Sequence, residues 1–237
     1  MVRSFPKDLS RHFWNQDRGL TSIFIVLCVS DFLIIPFFDK DTAVILLLSR
    51  ITWLFLLITG VLTLAKNRKQ MLNLAIIPVL LITVNVLLLL YENTFLTYLE
   101  FIVKLATSGL LIWMVLVKVF EAGSVSVHRV IGSIVAYMLI GNLWADIFEF
   151  LYMNVPGSIQ FPSVDVQTGV ASSTFLYFSY TTLTTTGFGE ILPVHAISRT
   201  VVIMEQLIGV LYPVVLIGRL VSLVAGNTNV KPDPENQ

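Results

Sequence analysis

The sequence predicts an all-α membrane protein, and two observations carry that prediction. Its 237 residues are 56% hydrophobic and only 13% charged, with a mean hydropathy of +0.84, far from the balance of a water-soluble domain. Six apolar runs, at 20–38, 43–64, 71–90, 95–119, 127–153 and 194–224, reach the roughly 20 residues that a bilayer-crossing helix needs. A seventh, 173–184, is too short to cross. The 15 basic and 15 acidic residues cancel to a net charge of +0, so charge indicates neither nucleic acid nor a general attraction to anionic lipid.

Taken in order, the arm 1–19 places Phe5, Leu9, Phe13 and Trp14 roughly on one helical face. It reads as an inner-interface helix or as a loose terminus. The first span is no signal peptide: it is too long, it carries Asp31, and it lacks a clear small-residue cleavage site. Cys28 is the single cysteine, which excludes intrachain disulfides. Arg3, Lys7, Arg11 and Arg18 precede the first span, Lys66, Arg68 and Lys69 follow the second, and Lys118 and Arg129 flank the fourth-to-fifth turn. The alternation places these segments in the cytoplasm, with both termini inside and the chain multi-pass in the plasma (cell inner) membrane.

Spans one to four (20–120) are expected to form a peripheral bundle. The fourth holds only Lys104 and Lys118 as basic residues, so it lacks the spaced arginines of a voltage sensor. Asp31, Arg50, Glu100 and Lys104 fall at similar depths, with Glu100 and Lys104 four apart on one helix face. They are expected to form a neutral buried cluster, since unpaired charges in hydrocarbon are costly. Serine and glycine in EAGSVS (121–126) then break the apolar pattern, and Ser124 or Ser126 is placed to cap the fifth span. From there 125–226 reads as a second functional part, followed by a short cytoplasmic tail, 227–237, with no ligand-binding domain.

The loop 154–173 carries Pro156, Gly157, Pro162 and several serines and reads as extracellular. The segment 173–184 then dips in as a re-entrant helix whose C-terminal partial negative charge favours a cation. It runs into TTLTTTGFG (181–189). Gly187 and Gly189 permit a backbone that turns its carbonyls to one side, and four such loops around an axis replace the hydration shell of a cation. Thr185 offers a hydroxyl and a carbonyl, followed by the carbonyls of Thr186, Gly187 and Phe188. Such a loop needs protein around it rather than lipid, which the flanking spans supply.

The stretch TLTTTGFGEILP (182–193) resembles the pore signature of tetrameric potassium channels, and the likeness extends over about 127–225. MEQLIGVLYP (204–213) is similar to small prokaryotic members. The resemblance implies a homotetramer in membrane lipid that passes K⁺ and uses no other cofactor. It implies filter ligands Thr185, Thr186, Gly187 and Phe188, filter support from Tyr177, Thr182, Gly189 and Glu190, and a gating hinge at Gly209. Pro213 reinforces that hinge because it leaves the Gly209 carbonyl without its helical donor. Departures from the pattern are Phe188 for tyrosine, Glu190 for aspartate, and Tyr177 and Phe178 for two tryptophans. Phe188 cannot donate a hydrogen bond and permits a less rigid filter, while the Tyr177 hydroxyl is placed to donate to Glu190. A weakly selective cation channel and a non-conducting sensor or regulatory subunit are the alternatives.

No nucleotide loop, helical metal motif or nucleophile with a base appears, so no enzyme is expected. On the long helices beside the filter, Arg199 is expected to pair with Asp146 or Glu149. Glu205 stands mid-helix behind the filter as a desolvated carboxyl. His195 lies at the outer mouth, as an interfacial residue or an acid sensor.

Overall fold

In the computed structural model the described residues are 20–38, 94–120, 127–162 and 172–228, with single positions between 51 and 58 and between 76 and 87. Helix α1 (20–38) runs as Leu20–Ile34 and continues through Ile35–Phe38. Its turn Ser30–Ile34 is π-helical, closed by the Ile35 N–H on the Ser30 carbonyl. The wider turn points two consecutive residues, Ser30 and Asp31, into the protein.

Helices α2 (Thr94–Val119), α3 (Val127–Asn154), α4 (Ser172–Leu183) and α5 (Ala196–Thr228) follow. Among the described residues, three helices are long and apolar enough to cross a membrane: Thr94–Val119, Val127–Asn154 and Ala196–Arg219. The chain is thus a multi-pass membrane protein. Helix α4, with 12 residues, is about 18 Å long, well short of the ~30 Å hydrocarbon core. Expected spans two and three lie mostly outside the described residues, although Ile51, Leu56, Ile76 and Val84 are helical. The arm 1–19, Arg50, the boundary 121–126 and the tail from 229 onward lie outside them altogether.

Helix α3 stops where Pro156 lacks an N–H and Gly157 takes a φ of 71°. The chain then does something its loop composition does not announce. Strand β1 (Ile159–Gln160) pairs antiparallel with β2 (Leu192–Pro193), Ile159 opposite Pro193 and Gln160 opposite Leu192. Because β2 occupies Leu192–Pro193, α5 begins at Ala196 rather than at the expected 194.

Two cores hold the helices. One joins α1 (Leu20, Ile23, Leu27), Leu56, α2 (Leu111, Met114, Val115) and α3 (Val135, Leu139). The other wraps α4, with Phe175, Phe178 and Leu183 against Phe148, Ile159, Ile191 and Val202. Lipid is as apolar as these side chains, so close packing rather than water exclusion holds such helices together. Ring contacts supply it: Phe148 and Phe178 at 4.7 Å, and Tyr152, Phe161 and Phe175 in mutual contact at 5.3–5.6 Å.

Candidate functional site

The site is the stretch that leaves α4 and returns to α5. Helix α4 ends in a Schellman motif: the Thr185 N–H bonds the Thr182 carbonyl at 2.9 Å and the Thr186 N–H bonds the Thr181 carbonyl at 2.8 Å. The Gly187 N–H also reaches the Thr181 carbonyl, at 3.1 Å. The left-handed residue of this motif is usually glycine, but here it is Thr185, with φ of 57°. It is the only non-glycine with positive φ among the described residues, and for a β-branched side chain that is a strained conformation. Gly187 (φ 50°) and Gly189 (φ 89°) repeat the sign at every second residue. Alternating hand gathers successive N–H groups on one side of a chain and leaves the carbonyls to the other. Around this backbone, Thr184 Oγ1 donates to the Tyr180 carbonyl at 2.7 Å and lies 2.9 Å from Thr186 Oγ1.

Three helices converge on α4. Gly141 of α3 sits against the Tyr180 ring, which a Cβ would meet at 2.8 Å. Gly209 of α5 abuts the last turn of α4 so closely that a Cβ would overlap the Leu183 carbonyl. That carbonyl also accepts from the Tyr137 hydroxyl at 3.1 Å. Helix α5 runs unbroken through Gly209 and Pro213, so Gly209 has a packing reason of its own, apart from any bending. Ser179 of α4 is fully buried and its hydroxyl lies 2.7 Å from the Gly141 carbonyl and 2.6 Å from Glu205 Oε1. Tyr180 donates to Asp31 Oδ2 of α1 at 2.7 Å, and Asn142 Nδ2 donates to the same oxygen at 2.8 Å.

The far end of the loop is fastened too. The Ser158 carbonyl accepts from the Val194 N–H at 3.0 Å and the Ser198 hydroxyl at 2.6 Å. His195 Nδ1 accepts the Ile197 N–H at 3.2 Å, capping α5. Tyr177 stacks parallel to Phe188, centroids 6.5 Å apart. Its hydroxyl lies beside the Glu190 carboxylate, and that hydrogen bond raises the phenol above its ordinary range. Thr182 is buried within α4, while Thr185, Thr186, Gly187, Phe188, Gly189 and Glu190 lie exposed in sequence along one edge of the chain.

Two expected pairings are corrected. The expected cluster of Asp31, Arg50, Glu100 and Lys104 is revised: Lys104 pairs with Asp146 of α3, at 2.5 Å, and keeps Glu100 within electrostatic reach, while Asp31 takes Asn142 and Tyr180 as partners. Arg50, another expected member of that cluster, lies outside the described residues. Arg199 pairs with neither Asp146 nor Glu149: its Nε donates to the Pro193 carbonyl at 3.2 Å, and Glu149 accepts from Ser172 at 3.1 Å. Sequence reasoning missed Ser158, Asn142, Ser179 and Tyr180. The available signal was polar side chains within or beside apolar helices, each of which needs a partner.

Residues 125–225 match a family model described as an ion channel. The match covers less than half of the 237 residues and spans α3, the strand pair, α4, the alternating loop and most of α5. It supports an ion channel of the pore-loop kind, a channel rather than an enzyme. No curated protein matches the chain.

Proposed function

We propose that the chain is one subunit of a homotetrameric potassium-selective channel that conducts passively. Its filter is built from the carbonyls of Thr185, Thr186, Gly187 and Phe188, with the Thr185 hydroxyl at the inner end. The observation that carries this reading is the run of positive φ at Thr185, Gly187 and Gly189, directly after a helix too short to cross a bilayer. A backbone with its carbonyls on one side is what replaces the hydration shell of a K⁺ ion when four copies face one another. Helix α4 then acts as a re-entrant pore helix, its C-terminal partial charge favouring a cation.

A closed cyclic ring is the simplest way to surround one axis with identical loops, and a four-fold filter with one loop per chain then takes four chains. Helix α5 supports this: only 11% of its membrane-length window is buried against the rest of the chain, against 56% for α3, which leaves a face for neighbouring copies. In the assembled channel Tyr177, Thr182, Gly189 and Glu190 brace the filter, and Gly209 with Pro213 gives the inner helix its bend on opening. The protein sits in the plasma or cell inner membrane, and basic loop charge puts both termini in the cytoplasm.

The test is the reversal potential of purified protein in bilayers with K⁺ on one side and Na⁺ on the other. Reversal at the K⁺ equilibrium potential, lost in Gly187→Ala, is the expected result. Reversal near zero would favour a weakly selective cation channel, the reading that Phe188 favours because stacking on Tyr177 replaces a hydrogen bond there. No current from well-folded tetramers would favour a regulatory subunit.

A further inference from the structure

Glu205 is fully buried in the middle of α5. Its Oε1 lies 2.6 Å from the Ser179 hydroxyl, and its Oε2 has no hydrogen-bond partner among the described residues. The same hydroxyl lies 2.7 Å from the Gly141 carbonyl. A serine hydroxyl carries one proton, yet two acceptors stand at full hydrogen-bonding distance from it. The count balances if the second proton comes from the carboxyl. Glu205 then donates to Ser179, and Ser179 donates to the Gly141 carbonyl. An ionised Glu205 would instead leave one short oxygen–oxygen contact without a proton and a buried charge without a cation, which is costly. Among the groups packed around it, α4 contributes neutral Ser179 and α3 the neutral phenol of Tyr137, which stands within electrostatic reach of Glu205.

We propose that Glu205 carries a proton and acts as a positioning residue for the filter. The relay from Glu205 through Ser179 to Gly141 ties the inner helix, the pore helix and the outer helix at one point behind the carbonyl ladder. What position 205 requires is then a neutral donor of glutamate's length, not a charge. The effect on the filter rests on the channel reading, whereas the proton on Glu205 does not.

Infrared difference spectra of wild type against Glu205→Gln, in lipid at neutral pH, test the proton directly and need no current. Loss of a carboxylic-acid C=O band in the variant is expected; loss of a carboxylate band instead would overturn the proposal. In bilayers, Glu205→Gln should keep the wild-type reversal potential, while Ser179→Ala should shift reversal toward zero in tetramers of unchanged yield. A selective Ser179→Ala channel would overturn the positioning role. If wild-type tetramers pass no current at all, the channel reading fails, and the infrared result still decides the proton.

Discussion

Thr185 stands at a left-handed position where glycine is the usual choice. A left-handed L-residue costs about 1–2 kcal/mol, and such strain persists at sites where function requires it. Its side chain is exposed at the start of the loop, where on the channel reading it meets an ion. On that reading Thr185→Gly is expected to leave the protein's thermal midpoint unchanged or raised while reducing K⁺ over Na⁺ selectivity. The converse exchange, Gly187→Thr, should lower stability by about 1–2 kcal/mol. Unfolding curves and reversal potentials of the two variants check both. Asp31 makes a second argument at this scale. Its removal as Asp31→Ala takes from the Tyr180 hydroxyl its short acceptor, at about 1–3 kcal/mol for the donor left unmade, while Asn142 Nδ2 keeps the Met138 carbonyl at 3.1 Å. Tyr180→Phe in the Asp31→Ala background should then cost much less than in wild type, and a double-mutant cycle on thermal stability reads that coupling.

Among the described elements, α5 approaches α4 most closely at a glycine, Gly209 against the Leu183 carbonyl. Gly209→Ala would drive a methyl group into the Leu183 carbonyl, and overpacking of that kind costs about 1–3 kcal/mol. Gly218 lies on the same helix, and a methyl group added there would meet nothing within 4 Å. Gly218→Ala should therefore be neutral, or stabilising by up to about 1 kcal/mol from helix propensity. Equal losses from both variants would show that helix stiffness rather than the Leu183 contact governs. The described helices were legible in the sequence to within a residue or two at most ends, because an apolar run bounded by proline, glycine and charge leaves little choice in hydrocarbon. The β1–β2 pair was not, since two-residue strands have no periodicity and their partners lie 32 to 34 positions apart. The pairing of Lys104 was misread for a related reason. Counting residues along a span gives the height of a side chain in the membrane but not its compass direction, and Lys104 faces α3, where Asp146 stands at a similar height.

At the scale of the whole molecule, helices α1 and α2 and the proposed filter region are not independent modules. Lys104 of α2 is paired with Asp146 of α3, and Asp31 of α1 holds Tyr180 of α4 directly. Truncating Lys104 alone leaves Asp146 facing low dielectric without its partner, whereas removing both leaves none. Lys104→Met should therefore lower the protein's stability by more than Lys104→Met combined with Asp146→Leu, as thermal unfolding in detergent would show. The glycine-rich loop was legible because its chemistry is local, written in consecutive residues. Its supports were less so, because Ser158, Asn142 and Ser179 acquire meaning only from helices distant in sequence. The π turn at Ser30–Ile34 carries the last consequence. It holds one residue more than an α turn, so it acts as a phase shifter for the faces of α1. Deleting a single residue after Asp31 would let an ordinary helix re-form with the faces on either side still in phase, whereas straightening the turn without a deletion would rotate one side of the join by about 100° against the other. Leu27 would keep its place in the first core while Ile35 swung away from the second, so the extra residue is what lets one helix serve both.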